Sequence, residues 1–280
     1  MKIIEKLKEI NVFRDSDGNP SAQKGTTCNV IEDGGGTYVE KQWVSGDWVF
    51  SGDYEYRVEK HIYQGSNALG LPVPRLLDFD DADRKLRIEY TPGSRPKTPC
   101  GNMRLLLPVL QFYDQFKNIA FPSGPELHKM DESCIHKYRL DQLQFIFPEE
   151  GTWSRLDALY ESFLRDIPYF TLPFDRILHN ALLHDEGLFF VDFEWTIAGP
   201  HEFTLARIAV EFNRYDYPEI VSRVDDLNLY HLFLLRFYMY GREPKSMHQY
   251  MQQHLRNETL RELFGIVNVE KYTDEPWLST

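Results

Sequence analysis

Phe174-Asp175-Arg176-Ile177-Leu178-His179-Asn180-Ala181-Leu182-Leu183, followed after a short polar turn by Leu188-Phe189-Phe190-Val191-Asp192-Phe193-Glu194-Trp195, is the stretch that decides the fold. Asn180 follows Asp175 by five residues, and Asp192 follows Asn180 by 12, at the end of an apolar run. That order and spacing suit phosphoryl transfer. A first carboxylate can take or orient a hydroxyl proton, an amide oxygen can coordinate a metal without adding charge, and a second carboxylate can bridge Mg²⁺ bound to nucleotide phosphates. The plainer alternative is that Asp175 and Asn180 cap turns, where both residue types are frequent, and that Asp192 is a solvated strand end.

Upstream of this stretch the N-terminal third reads as short strands. Glu9–Arg14 alternates in part, Ser16–Gly25 is a loop, and Thr26–Glu32 and Thr37–Trp43 flank Asp33-Gly34-Gly35-Gly36, predicting a three-strand meander with a hairpin at the glycines. Asp53–Gln64 carries Tyr54, Val58, Ile62 and Tyr63 on a helical period, ending at Gly65–Pro74. Leu76–Phe79 and Lys85–Tyr90 are further strands, and Thr91 to Pro99 is a linker. After Gly101 the pattern becomes helical, over Leu105–Phe116, Tyr138–Phe147, Trp153–Ile167, Leu205–Tyr215 and Leu227–Tyr240, interrupted only by Phe174–Phe193. No internal repeat or low-complexity segment is present.

The chain resembles the aminoglycoside phosphotransferase and choline kinase group, the small-molecule branch of the protein-kinase-like fold. Val191-Asp192-Phe193-Glu194-Trp195 looks like the group's Ile-Asp-Trp/Phe-Glu word, and Leu71-Pro72-Val73-Pro74 and Glu89-Tyr90-Thr91-Pro92-Gly93 resemble its Leu-Pro-Val-Pro and Glu-Tyr-x-x-Gly stretches. The resemblance implies an α+β, bilobal fold. Residues 1–93 would form a small antiparallel nucleotide-binding lobe with one helix, and residues 94–280 a larger, mostly α-helical catalytic and substrate-binding lobe. It further implies that Asp175 is the catalytic base, that Asn180 and Asp192 bind Mg²⁺, and that Lys41 contacts the α/β-phosphates of ATP. Glu59 is its natural ion-pair partner, with Glu55, one turn earlier on the same face, as the runner-up. Lys41 as an exposed strand lysine is the competing reading.

Glu89 to Thr91 would hold the adenine edge through backbone groups. Gly34 to Gly36 look like a phosphate cradle, yet they fall between the second and third strands. Ser16–Gly25 is the better phosphate-covering loop, offering Ser21, Gln23 and Lys24, although it matches no Walker A pattern. Glu194 shares the side of Asp192 by period two and is a supporting residue or further ligand; His179 is placed to meet substrate or phosphate. One position departs from the group: Pro173 stands where it usually has His, two residues before the base. No Ala-Pro-Glu word follows Asp192, which argues against a protein kinase with an activation loop.

Composition bounds the rest. The 280 residues carry 43 acidic and 31 basic side chains, a net charge of −12, with no Lys/Arg-rich run, so phosphate-backbone binding to nucleic acid is not expected. The acidic surface would suit a cationic acceptor. Cys28, Cys100 and Cys134 form no CxxC, and no stretch reaches the ~20 apolar residues of a membrane span, which predicts a cytoplasmic protein. His179, His184 and His201 lack zinc-site spacing. The expected activity is ATP- and Mg²⁺-dependent phosphorylation of a small hydroxylated acceptor: an amino alcohol, an aminoglycoside, a sugar or a glycan intermediate. The alternative is a pseudokinase that binds nucleotide without turnover, motivated by Pro173.

Overall fold

The computed structural model describes residues 2–8, 11–14, 20–24, 26–44, 51–96, 103–120, 126–127, 129–130, 158–159, 161–174, 177–185, 187–239 and 245–267. The helix expected over Tyr138–Phe147 lies outside these residues, as do 153–157 and 160 of the one expected over Trp153–Ile167, whose described residues 158–159 and 161–163 are helical. Two compact units emerge, each discontinuous in sequence: residues 1–97, 111–129 and 171–198, and residues 98–110, 130–170 and 199–280. They are interleaved in sequence.

In the first unit, β1 (Lys2–Lys8), β4 (Thr26–Asp33), β5 (Gly36–Trp43), β6 (Leu76–Asp80) and β7 (Lys85–Glu89) form an antiparallel sheet in the order β1-β4-β5-β7-β6. The strand preceding β4 in the sheet is therefore β1, not Glu9–Arg14. Asn11–Arg14 (β2) instead pairs with Pro20–Lys24 (β3) as a separate hairpin between β1 and β4. Half of the loop expected over Ser16–Gly25 is thus strand, because its backbone pairs with Asn11–Arg14. The glycine hairpin is where it was expected. Asp33 pairs with Gly36, the Gly35 amide donates to Asp33 Oδ1 at 2.8 Å, and Gly36 takes φ 131°, a conformation open to a residue without Cβ.

Alternation along β5 buries Val39, Lys41 and Trp43 on one face. Helix α1 (Gly52–Ala68) opens with Ser51 accepting from the Tyr54 amide, which satisfies an orphan donor of its first turn. It buries Tyr54, Glu55, Val58, Glu59, Ile62 and Tyr63. It runs four residues beyond Gln64, passing through Gly65, where the absent side chain lets Ile119 approach: a Cβ there would lie 2.8 Å from Ile119 Cγ2. The C-terminal half of α2 (Leu106–Phe116) adds Phe112 and Phe116, which stack with Phe190 and Phe193; the Phe112 and Phe190 centroids are 3.8 Å apart. After α2 come β8 (Phe170–Pro173), a 3₁₀ turn (Leu178–Asn180), β9 (Ala181–His184), β10 (Gly187–Phe190) and β11 (Thr196–Gly199), pairing β9 with β10 and β8 with β11.

The second unit is helical among its described residues: α3 (His201–Phe212), α4 (Pro218–Val221), α5 (Leu227–Met239), α6 (Lys245–His254) and α7 (Glu258–Val267). Asn213, left-handed at φ 54°, ends α3. Phe203, Phe212, Phe233, Met251, Leu260 and Leu263 supply its core. Among the described residues, no helix is long and apolar enough to cross a membrane.

His231, buried on α5, lies 3.1 Å from the Tyr250 hydroxyl, and burial followed by the nearby His254 brings it down to about 4. An unfolded chain titrates this group near 6.5, so it takes up the proton first as pH falls. The stabilisation is complete above that pH and drains away between about 6.5 and 4, by about 3 kcal/mol in all. Denaturant melts from pH 7 to 4 should show a shallower acid loss in His231→Phe than in the parent; equal slopes would contradict this.

Candidate active site

Lys41 reaches the site because β5 alternates. Val39 and Trp43 share its inward face, and the Lys41 Nζ lies 4.9 Å from the Trp43 ring centroid. Only 5% of Lys41 is exposed, so its charge needs partners. Three carboxylates supply them: Glu59 Oε2 at 2.6 Å, Asp192 Oδ1 at 2.5 Å and Glu194 Oε2 at 3.0 Å. Burial by itself would lower the Lys41 ammonium, but Asp192, Glu194 and Glu59 together hold it well above its ordinary value. Glu59, 1% exposed, is pushed up to about 8 by burial, against the pull of Lys41 and with Asp192 and Glu194 adding like charge.

Glu55 has a different role from the one kept open for it. Its Oε1 accepts from Trp195 Nε1 at 3.0 Å, while the Tyr54 hydroxyl donates to the Thr196 carbonyl at 2.7 Å. One face of α1 therefore holds both the lysine and the segment that follows Asp192.

Asp192 and Asn180 converge although they come from different chain segments. The Val191 amide donates to the Asn180 carbonyl at 2.8 Å, and Asn180 Nδ2 donates to the Asp192 carbonyl at 3.2 Å. Because that amide nitrogen faces the backbone, the amide oxygen is the group left to act as a ligand. Asp192 has φ 66°, left-handed and costing roughly 1–2 kcal/mol outside glycine. Strain of this kind gathers at functional sites, where the surroundings over-determine it. Glu194 is fixed by the Trp43 indole and the Thr26 hydroxyl, each 3.2 Å from Oε2. The sequence reading missed Thr26 and Trp43 as site residues; the parity that Trp43 shares with Lys41 was the available signal.

A cavity of about 690 Å³ opens onto this cluster. Cys28, Val39, Ile88, Leu182 and Val191 line its apolar part; Lys41, Glu59, Asn180, Asp192 and Glu194 its polar part. Glu89, Tyr90 and Thr91 form one wall, and Arg95 and His179 also line it. The wall is held by a two-way backbone bridge, Ser94 to Leu183 and back, at 3.1 and 2.8 Å. Gly93 allows that approach, since a Cβ there would stand 2.9 Å from the Leu183 carbonyl oxygen and 3.1 Å from Leu182 Cβ. Gly93→Ala should therefore lower the melting temperature, by on the order of 1–3 kcal/mol of overpacking, and an unchanged melt would contradict the close fit.

Asp175 lies outside the described residues, so no position is assigned to the expected base. Its flanks are tied down: the Phe174 amide donates to the Trp195 carbonyl at 2.8 Å, and the Asn180 amide to the Ile177 carbonyl at 3.2 Å. Pro173 ends β8. Ser21 and Lys24 stand in β3, with Lys24 opposite Asn11. Glu59, Asp192 and Glu194 each place a carboxylate oxygen within 4.8 Å of the others, a spacing that could hold a cation.

No protein-family model matches the sequence, and no curated protein matches it. Solved structures do match along nearly the whole chain. A choline/ethanolamine kinase family protein from Mesorhizobium loti shares 12% identity over 98% of this chain and 90% of its own, with a TM-score of 0.51. The choline kinase LicA from Streptococcus pneumoniae shares 13% over 94% and 92%, at 0.53. The amicoumacin kinase hAmiN shares 11% over 92% and 86%, also at 0.53. With the lysine strand, the helix glutamate and the Asp192 turn joined in one cluster, the chain has the α+β, protein-kinase-like fold in the form that these small-molecule kinases share.

Proposed function

We propose that the protein is an ATP- and Mg²⁺-dependent phosphotransferase that moves the γ-phosphoryl group to a hydroxyl of a small molecule. The observation that carries this reading is the junction of Lys41 with Glu59 at 2.6 Å and Asp192 at 2.5 Å, on the wall of a cavity large enough for a nucleotide. Support also comes from hAmiN, whose structure was determined with AMP-PNP and Ca²⁺. In this reading residues 1–93 serve as the nucleotide lobe and 94–280 as the catalytic and acceptor lobe, in a cytoplasmic enzyme.

The donor set fits a hard divalent cation. Three carboxylates face one ammonium; Glu59 Oε1 is buried without a hydrogen-bond partner; and the Asn180 amide adds a neutral oxygen. Asn180 and Asp192 would hold Mg²⁺, which supplies positive charge beside the phosphate oxygens when bound. Lys41, aimed by Glu59, contacts the α/β-phosphates. Glu89 to Thr91 take the adenine edge, Ser21 and Lys24 cover the phosphates, and Glu194 supports Asp192 and Lys41. Asp175 orients the acceptor hydroxyl and takes its proton. Positioning and electrostatics account for most of the rate in such a site.

A screen of hydroxylated acceptors with ATP and Mg²⁺, read by product mass, tests the reading. A phosphorylated product is expected, with turnover falling at least ~10²-fold in Asp175→Ala. Pro173, in place of the group's usual His, favours a second reading, a nucleotide-binding pseudokinase. A thermal shift with ATP and Mg²⁺ but no product from any acceptor would select it.

A further inference from the structure

Among the described residues, two Lys or Arg side chains line the cavity, with opposite surroundings. Lys41 is buried among three carboxylates at 2.6, 2.5 and 3.0 Å, so its charge is already matched. Arg95, four residues after the Glu89–Thr91 wall, is exposed, and its Nη1 lies 3.3 Å from Nε2 of His179, the residue before Asn180. Among the described residues, no carboxylate pairs with Arg95, and its hydrogen-bond partner is that imidazole. An Arg side chain that donates to a ring nitrogen keeps its full charge and most of its N–H groups, while the imidazole's other nitrogen can carry a further donor. The backbone bridge between Ser94 and Leu183 brings the two chain segments together, so the pairing is built into the fold. A planar guanidinium with no counter-charge is the group best shaped to grip a carboxylate or phosphate in two places.

Resting on the phosphotransferase reading, we propose that Arg95 and His179 form an anion subsite on the cavity wall, and that the hydroxylated acceptor carries a carboxylate or phosphate ester held there. This runs against the cationic acceptor that the net charge of −12 would steer in. Net charge acts on the long-range approach of a ligand; the pocket's own groups decide what binds.

The test uses the full chain saturated with AMP-PNP and Mg²⁺, titrated at constant ionic strength with glucuronate, glucose 6-phosphate, glucose and choline, and followed by thermal shift and calorimetry. Glucuronate or glucose 6-phosphate should bind more tightly than glucose, whichever of the two wins showing whether carboxylate or phosphate is preferred. That advantage should fall at least tenfold in Arg95→Ala and in Arg95→Glu and be kept only in part in Arg95→Lys, which retains the charge without the fork, while AMP-PNP affinity changes less than twofold. Equal anion binding by the parent and Arg95→Ala, a preference for choline or glucose, or a tenfold loss of AMP-PNP affinity in Arg95→Ala would each overturn the subsite. Failure of the parent chain to bind AMP-PNP at all is a separate outcome: it would overturn the phosphotransferase reading beneath it.

Discussion

Asp192→Asn should abolish Mg²⁺-dependent nucleotide binding and drop turnover at least ~10³-fold, while the melting temperature stays within about 2 °C of the parent, under about 1 kcal/mol. Asparagine is the informative replacement, because the position has φ 66° and Asn tolerates the left-handed region that Ala does not. The substitution removes one negative charge from a group in which three carboxylates surround one ammonium, and leaves Lys41 with Glu59 and Glu194. The fold should lose little, whereas a cation bound as proposed would lose an anionic ligand. Thermal melts and AMP-PNP titrations of the same preparation read both halves. A large fall in melting temperature would mean that Asp192 is chiefly structural.

Lys41→Met should be nearly as damaging to turnover, on the order of 10³-fold, and unlike Asp192→Asn it should also destabilise the protein. Removing the ammonium leaves Glu59 and Glu194, both buried, beside Asp192 with no cation. Breaking one side of a buried ion pair costs about 3–5 kcal/mol unless the stranded carboxylate takes up a proton. Glu59 is already drawn that way by burial. Adding Glu59→Gln to Lys41→Met should therefore recover part of the lost stability and none of the activity. If the double variant is no more stable than Lys41→Met, the buried pair is not what organises this face of α1.

The Lys41–Glu59 pairing was legible because two short-range periods point to it. Strand alternation puts Lys41 with Val39 and Trp43, and the helical period puts Glu55, Glu59 and Tyr63 on one face. Periodicity alone could not choose between Glu55 and Glu59, which lie one turn apart. The choice comes from Trp195, 140 residues downstream of Glu55, whose indole takes up Glu55. Strand β1 went unread because its register slips between Ile3 and Glu5 and again between Lys6 and Lys8, breaking the two-residue alternation of an edge strand. Pro20-Ser21-Ala22-Gln23-Lys24 lacks the β-branched and aromatic residues that mark a strand, so β3 was read as loop. The left-handed turn at Asp192 is likewise not read from sequence: Asp is among the residues that visit this region, but nothing local singles out this one, whose carbonyl accepts from Asn180.

Calorimetric titration of AMP-PNP into the full chain, with Mg²⁺ and then with chelator, tests the central claim most directly. A single site whose affinity falls at least tenfold when divalent cation is removed, and which Asp192→Asn eliminates, is the result predicted here. No binding, or binding indifferent both to Mg²⁺ and to Asp192→Asn, would contradict it.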